Sequence, residues 1–304
     1  MDELGRYDNQ EPEIPEIIIE DDDDEQFGET GTGQATVPPR NRWPRWLLAA
    51  FALLAAALLA VVGYHTWNRY FHIGIPISTS PSENIKKLQQ PLRREMAEIK
   101  MKSDSILGVA LDIYSIHGLR ANLEMAEPNT ADASVFLYCR SADINVDSTY
   151  LGSLVVDGEE KTSDLSRLGY MAMADGRQVI GVSQSDKVMD YVKERNGSFF
   201  RQFVLVSDGV IPNKFYLHGK VERKAIGRIG GRLYFVSTRH PETLWDFADA
   251  LREYGFVDAI YITGGSDYCF YRTRYGVRHD IGSPKNHPDM KWKGMIPWLV
   301  FRNK

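Results

Sequence analysis

Cysteine is scarce in this chain: two among 304 residues, Cys139 and Cys269. A small disulfide-stapled scaffold needs more. The pair is open to two readings. Either both are buried thiols, Cys139 lying inside the strand-like run SVFLYCR, or they form one bridge if the body lies outside the cytoplasm. Standard chemical motifs are also missing: there is no GxxxxGKS/T, no HExxH, no GxSxG and no CxxC. Their absence removes the P-loop, the zinc-protease helix, the nucleophile elbow and the dithiol motif. No basic stripe follows any helix-like segment, so a nucleic-acid surface is not expected. No internal repeat is apparent, so a solenoid or propeller is not expected.

The net charge of -5 hides a split. Residues 1–39 hold 13 Asp/Glu and one Arg, a net of -12, and the remainder holds 35 Lys/Arg against 28 Asp/Glu, a net of +7. A segment such as EDDDDEQFGETGTGQ cannot bury enough apolar surface to offset its ordering entropy. Residues 1–39 are therefore expected to be a disordered acidic tail. The run PEIIIEDDDDE within it is either solvated or a docking strand for a cytoplasmic partner.

Residues 46–67, WLLAAFALLAAALLAVVGYHTW, carry no full charge. About 20 apolar residues cross a bilayer as a helix. Trp43, Trp46, Tyr64 and Trp67 suit the two interfacial belts. Arg40, Arg42 and Arg45 precede the span, and only Arg69 closely follows it. The positive-inside rule then predicts a cytoplasmic N-terminus and an extracytoplasmic body in a single-pass inner-membrane protein. A cleaved signal would show a small-residue cleavage site, but YHTW follows here. A buried core helix would show a polar face, and this run has none. A single span also speaks against a transporter.

Residues 68–103 are read as a stalk and a helix. Leu88, Leu92, Met96 and Ile99 fall at helical spacing over 83–103, with a break at Pro91. Residues 104–304 read as one mixed α+β domain, a β-sheet with a few packing helices. Short apolar runs recur, among them GVALDIYSI, SVFLYCR, RLYFVST, DAIYIT and WLVF. Asp-Gly at 157–158, 175–176 and 208–209 and Gly-Gly at 230–231 bound several of them. HPETLWDFADALREYG has Leu244, Phe247, Ala248 and Leu251 on one face and Gly255 past its end. Strand, helix and strand from Arg232 to Thr263 predict a crossover with two parallel strands side by side.

Three stretches stand out for chemistry. Asn196-Gly197-Ser198-Phe199-Phe200 turns into a strand. Glu222 and Arg223 lead into Lys224-Ala225-Ile226-Gly227. The run DAIYI ends on Thr263-Gly264-Gly265-Ser266, followed by Asp267 and Tyr268. A buried strand that stops on two glycines brings its backbone close to a ligand or to a neighbouring strand. His279, Asp280, His287 and Asp289 share a loop too loosely spaced for a metal site. The sequence leaves a cofactor, and any metal dependence, undetermined.

In this order the three stretches resemble the phosphodiester glycosidase domain family, over roughly residues 130–304. In that family an Asn-Gly-x-Phe-Phe motif precedes Arg-x-Ala-x-Gly, and a helix then leads into a strand ending in Asp-Gly-Gly-Gly-Ser. The third motif departs here: Thr263 stands for the aspartate, Ser266 for the third glycine and Asp267 for the serine. The resemblance implies cleavage of a sugar-1-phosphodiester, with a glycan or sugar phosphodiester as ligand. Glycosidic cleavage generally uses two carboxylates. Asp267 is the local candidate, with Glu222 or Asp208 as partner, and each is otherwise a turn residue or surface charge. Arg223 suits a phosphate oxygen, or else a strand-end ion pair. Asn196, Gly197, Thr263, Gly264, Gly265, Ser266 and Tyr268 complete the expected substrate site. The altered motif leaves a second expectation open: a fold that binds a glycan or phosphodiester without cleaving it, or an envelope scaffold.

Overall fold

A computed structural model describes residues 44–71, 78–91, 95–145, 147–212, 219–262, 265, 267–282 and 294–303. The acidic tail lies outside the described residues, as do Thr263, Gly264, Ser266, His287 and Asp289.

The first helix, α1, runs Arg45–Phe71. Within it, Trp46–Tyr64 has a mean hydropathy of 2.5 and no buried residue. Helix-forming Leu and Ala fill it, and its apolar side chains face every direction, as expected of a segment in lipid. By length and composition it can cross a membrane.

The remaining elements, in chain order, begin with α2 (Pro81–Leu88), β1 (Glu98–Ile106), β2 (Val109–His117), β3 (Arg120–Glu124) and β4 (Val135–Arg140). Next come β5 (Leu154–Val156), β6 (Glu159–Thr162), β7 (Gly169–Ala174), β8 (Arg177–Val182), α3 (Lys187–Lys193), β9 (Ser198–Gln202) and β10 (Val204–Val206). Then follow β11 (Lys224–Ile229), β12 (Arg232–Thr238), α4 (Leu244–Tyr254), β13 (Asp258–Ile262), β14 (Cys269–Arg272), β15 (Arg278–Ile281) and β16 (Trp298–Arg302). The fold is mixed α+β. Among the described residues the strands form three antiparallel sheets, ordered β1-β2-β12-β11-β13-β10, β15-β14-β4-β16-β3 and β6-β5-β9-β7-β8.

Turn chemistry places the strands. Asp157-Gly158, Asp175-Gly176 and Asp208-Gly209 all take positive φ at both residues, and so do Gly230 and Gly231. That is the twist a two-residue hairpin needs. All three sheets send side chains into one central core: Phe235 and Ile260 from the first, Leu137 and Phe301 from the second, Met171 and Phe200 from the third. On the outer face of the first sheet, α4 buries Leu244, Phe247, Ala248 and Leu251, the face its periodicity predicts. On the third sheet, Leu88 of α2 and Val188, Met189 and Val192 of α3 pack over Tyr170 and Phe199.

Two expectations need correction. The helix over 83–103 ends at Leu88, and residues 98–106 form β1. Helical spacing placed Met96 and Ile99 on one face, yet Met96 is 70% exposed and Ile99 is 3%. Pro91 cannot sit inside a helix, and β1 pairs with β2 along its length, from Glu98↔His117 to Ile106↔Val109. The crossover also differs. β12 and β13 do run parallel, but both pair with β11, which lies between them. The Gly230-Gly231 hairpin holds β11 beside β12, so α4 carries the chain one strand further before β13 docks.

Candidate functional site

Two strand ends meet where the third sequence motif falls. Lys224↔Ile262 is the last pair of the β11–β13 ladder on this side. Beyond it the chain passes Gly265 against the residues that lead into β11. A Cβ on Gly265 would sit 1.5 Å from the Glu222 carbonyl oxygen, so only glycine fits. What this glycine approaches is a neighbouring backbone.

Asp267 follows immediately. Its carboxylate lies 3.1 Å from the Arg140 guanidinium, and both side chains are about one-fifth exposed (20% and 19%). Arg140 closes β4, so the charge sits at a strand end, where the ladder no longer covers it. Lys224, first residue of β11, is buried and donates its ammonium to the Asp267 main-chain carbonyl. The motif Arg223-Lys224-Ala225-Ile226-Gly227 thus supplies a buried cation beneath Asp267.

Tyr261, second from the end of β13, links this pair to a second group. Burial pushes its phenol pKa up and Asp143 adds to this, while Arg223 opposes them. Tyr261 therefore stays protonated at neutral pH; its phenol oxygen accepts from the Arg223 guanidinium, with the Asp143 and Asp267 charges nearby. Asp143 accepts from Gln202 Nε2 at 3.2 Å and lies near Arg167. The Arg167 guanidinium stacks 3.9 Å over the Phe203 ring, and the Phe203 carbonyl accepts from Tyr261 N at 2.9 Å. Arg223 is buried and partly committed. Its Nε donates to Glu242 O at 3.0 Å and its Nη2 to Gly219 O at 2.7 Å. Arg140, Arg167, Arg223 and Lys224 thus accompany Asp143 and Asp267. Glu222 and Asp164 adjoin them, so the charges are mixed, and Arg167 and Arg223 are the groups suited to an anionic ligand.

Of the residues expected from sequence, Asp267, Gly265, Arg223 and Glu222 come together here. Thr263, Gly264 and Ser266 lie outside the described residues. Asp208 is elsewhere: it is exposed in the turn after β10, and its N donates to Asp258 Oδ1 at 3.4 Å. Asp258 opens β13, so four strand residues, roughly 13 Å at 3.3 Å each, separate it from Ile262. Asp208 cannot partner Asp267 from there. Asn196 and Gly197 precede β9 and Gln202 ends it, a strand of roughly 17 Å, so they lie at the far end from the cluster. Gly197 is a close-packing glycine, since a Cβ would meet Met173 O at 2.3 Å. Asn196 lines a separate depression of about 190 Å³ with Arg120, Asp175 and Arg302. Tyr268 turns to the outer face of the second sheet, among Tyr138, Phe270 and Trp298, and donates to Asp280 Oδ1 at 2.8 Å. It is a packed aromatic there. Sequence reasoning missed Arg140, Asp143, Arg167, Gln202, Lys224 and Tyr261. One signal was available: the charged pair in Arg140-Ser141-Ala142-Asp143 spans the end of a buried strand and the loop after it, where ligand-binding groups collect. Among the described residues no group of three or more His, Cys, Asp or Glu could hold a metal.

No protein-family model and no curated protein sequence matches the chain. Among solved structures, the zebrafish N-acetylglucosamine-1-phosphodiester alpha-N-acetylglucosaminidase catalytic domain is similar at 13% identity and a TM-score of 0.48, over 72% of this chain and 86% of that one. A hypothetical protein from Synechocystis is similar at 11% identity and a TM-score of 0.50, over 67% of this chain and 62% of that one. Both likenesses are distant and concern the fold alone.

Proposed function

We propose that the chain is a membrane-anchored hydrolase of sugar-1-phosphodiesters, with its β-rich body outside the cytoplasmic membrane and its acidic tail inside. The observation that carries the reading is the joining of Asp267, Asp143 and Tyr261 with four cations at the β11–β13 strand ends. Arg167 and Arg223 flank the place for a phosphodiester oxygen. Tyr261 donates a hydrogen bond to it. Asp267, held by Arg140, attacks the anomeric carbon or activates water for that attack. Two carboxylates are usual in glycosidic cleavage, but a phosphate departs as a stabilised anion. Cations facing it take over much of the acid's work. Asp143 orients Gln202 and Arg167, and it replaces Asp208 as the second carboxylate of the site.

A second reading is binding without cleavage. The Arg140–Asp267 ion pair favours it, because a carboxylate committed to a guanidinium is a weaker nucleophile. So does Thr263, which stands where the resembling family has aspartate. One experiment separates the two. The full chain in detergent is incubated with N-acetylglucosamine-1-phosphodiesters and UDP-sugars, and free sugar is followed. The hydrolase reading expects release that Asp267→Asn abolishes and that Arg223→Ala and Asp143→Asn each lower at least tenfold. Release that survives Asp267→Asn overturns the assignment of the nucleophile. Saturable binding of the same phosphodiesters without release establishes the binding reading.

A further inference from the structure

Cys139 and Cys269 lie 130 positions apart in sequence. In the β4–β14 ladder Phe270 faces Tyr138 and Tyr271 faces Leu137. One step back along that antiparallel register sets Cys269 opposite Cys139. Both side chains point into the central core, at 1% and 0% exposure. Directly opposed residues of an antiparallel pair have Cα atoms about 4.5–5.5 Å apart. That lies inside the range a disulfide spans, roughly 4.4–6.8 Å. The two thiols hydrogen-bond each other, and the Lys224 ammonium lies near both. The sequence holds no other cysteine to compete.

We propose that Cys139 and Cys269 close into a cross-strand disulfide, formed by exchange with a small-molecule or protein disulfide as β14 docks on β4, and that this bond braces the turn carrying Asp267. The exchange balances. The Cys269 thiolate attacks one sulfur of the oxidant RSSR, forming a Cys269–SR mixed disulfide and releasing RS⁻, which takes up the proton Cys269 lost. Cys139, deprotonated in turn, attacks the Cys269 sulfur, and the second RS⁻ leaves as RSH. Two thiols have been oxidised by two electrons and one external disulfide reduced to two thiols. Which thiol attacks first is favoured by the surroundings that assemble as β14 approaches β4, Lys224 and Cys139 coming beside Cys269. Burial raises both thiols, but at Cys269 the hydrogen bond from Cys139 and the Lys224 ammonium outweigh it and bring the pKa below the usual thiol value. Cys139 stays driven up by burial. A thiol titrating near ambient pH attacks disulfides fastest. The bracing follows from position. Cys269 Sγ lies 3.8 Å from the Asp267 carbonyl oxygen, the same oxygen that accepts from Lys224. A covalent tie at Cys269 holds that carbonyl against β4, whatever chemistry the site performs.

The test uses the full chain in detergent. It is partly unfolded in urea, returned to native conditions with oxidised glutathione, and alkylated in denaturant without reductant. The expected result is no alkylated cysteine, the loss of two hydrogens in mass, and a Cys139–Cys269 cross-linked peptide in a non-reducing digest. Cys139→Ser is expected to retain glutathione on Cys269. Oxidation raises Tm by on the order of 5 °C and slows amide exchange at Cys269 and Phe270. Two alkylated thiols, or stable glutathione adducts on both cysteines of the native sequence, overturn the disulfide. A closed disulfide with unchanged exchange at Cys269 and Phe270 overturns the bracing.

Discussion

Asn196 shows how one residue can satisfy a functional motif for structural reasons. It stands just past α3 with φ of 50°, a left-handed backbone. Gly197 N donates to Val192 O at 2.9 Å and Asn196 N to Lys193 O at 3.2 Å. This is the paired closure of a helix C-terminus, in which a Gly or Asn takes the left-handed position. An L-residue with a Cβ pays roughly 1–2 kcal/mol for that conformation, and Asn less than most. Asn196→Ala is therefore expected to lower unfolding free energy by about 1 kcal/mol, and Asn196→Gly to leave it within a few tenths, both by urea titration. Sugar release or phosphodiester binding is expected to be unchanged in Asn196→Gly. Its loss there, with stability intact, would return Asn196 to the site. The sequence could not separate these readings, because an Asn-Gly pair serves a sugar hydroxyl and a helix end equally well. Gly265 was more legible. Two glycines at the end of an apolar strand announced a close approach, and the Glu222 carbonyl is what it approaches.

Elements were legible where two independent signals agreed. In α4, periodicity gave the buried face and the ends gave the limits. The Thr243 hydroxyl accepts from Asp246 N at 3.0 Å, and Gly255 closes the helix with φ of 104°. Thr243→Ala is expected to lower unfolding free energy by about 1 kcal/mol, and Thr243→Ser to keep most of it. Equal losses in both would mean that the Thr243 methyl, and not its hydroxyl, holds the element. The segment over 83–103 had periodicity alone, broken at Pro91. Four apolar residues at helical spacing are weak evidence, and the pairing with β2 decided in favour of a strand. The crossover fails for a related reason. Direction along the sheet follows from strand, helix and strand in sequence. Adjacency depends on β11, which arrives earlier in the chain and already occupies the place beside β12.

At the scale of the molecule, the candidate site draws on strand ends and loops from Arg140 to Asp267, which no local pattern could assemble. The membrane segment is the opposite case, since its evidence is contained in one run of residues. From Leu47 to Val62 there are nine Leu, Phe and Val residues, and the other seven are Ala. At about −0.3 to −0.6 kcal/mol each on an insertion scale, the nine favour insertion by roughly 4 kcal/mol. An Arg near the helix centre costs about 2.5–3.5 kcal/mol on the same scale. Replacing Leu54 and Leu58 together by Arg removes two favourable residues and adds two such penalties, about 7 kcal/mol in all. The balance then changes sign. The native chain is expected to stay in the membrane pellet after alkaline carbonate extraction, as is a Leu54→Ala/Leu58→Ala control. The Leu54→Arg/Leu58→Arg variant is expected in the supernatant, with the thermal unfolding of its β-rich body unchanged, since residues 46–64 are exposed in the fold. Retention of the double-arginine variant would show that something other than α1 holds the protein to the membrane. The positive-inside argument for the body's location would then lose the span on which it depends.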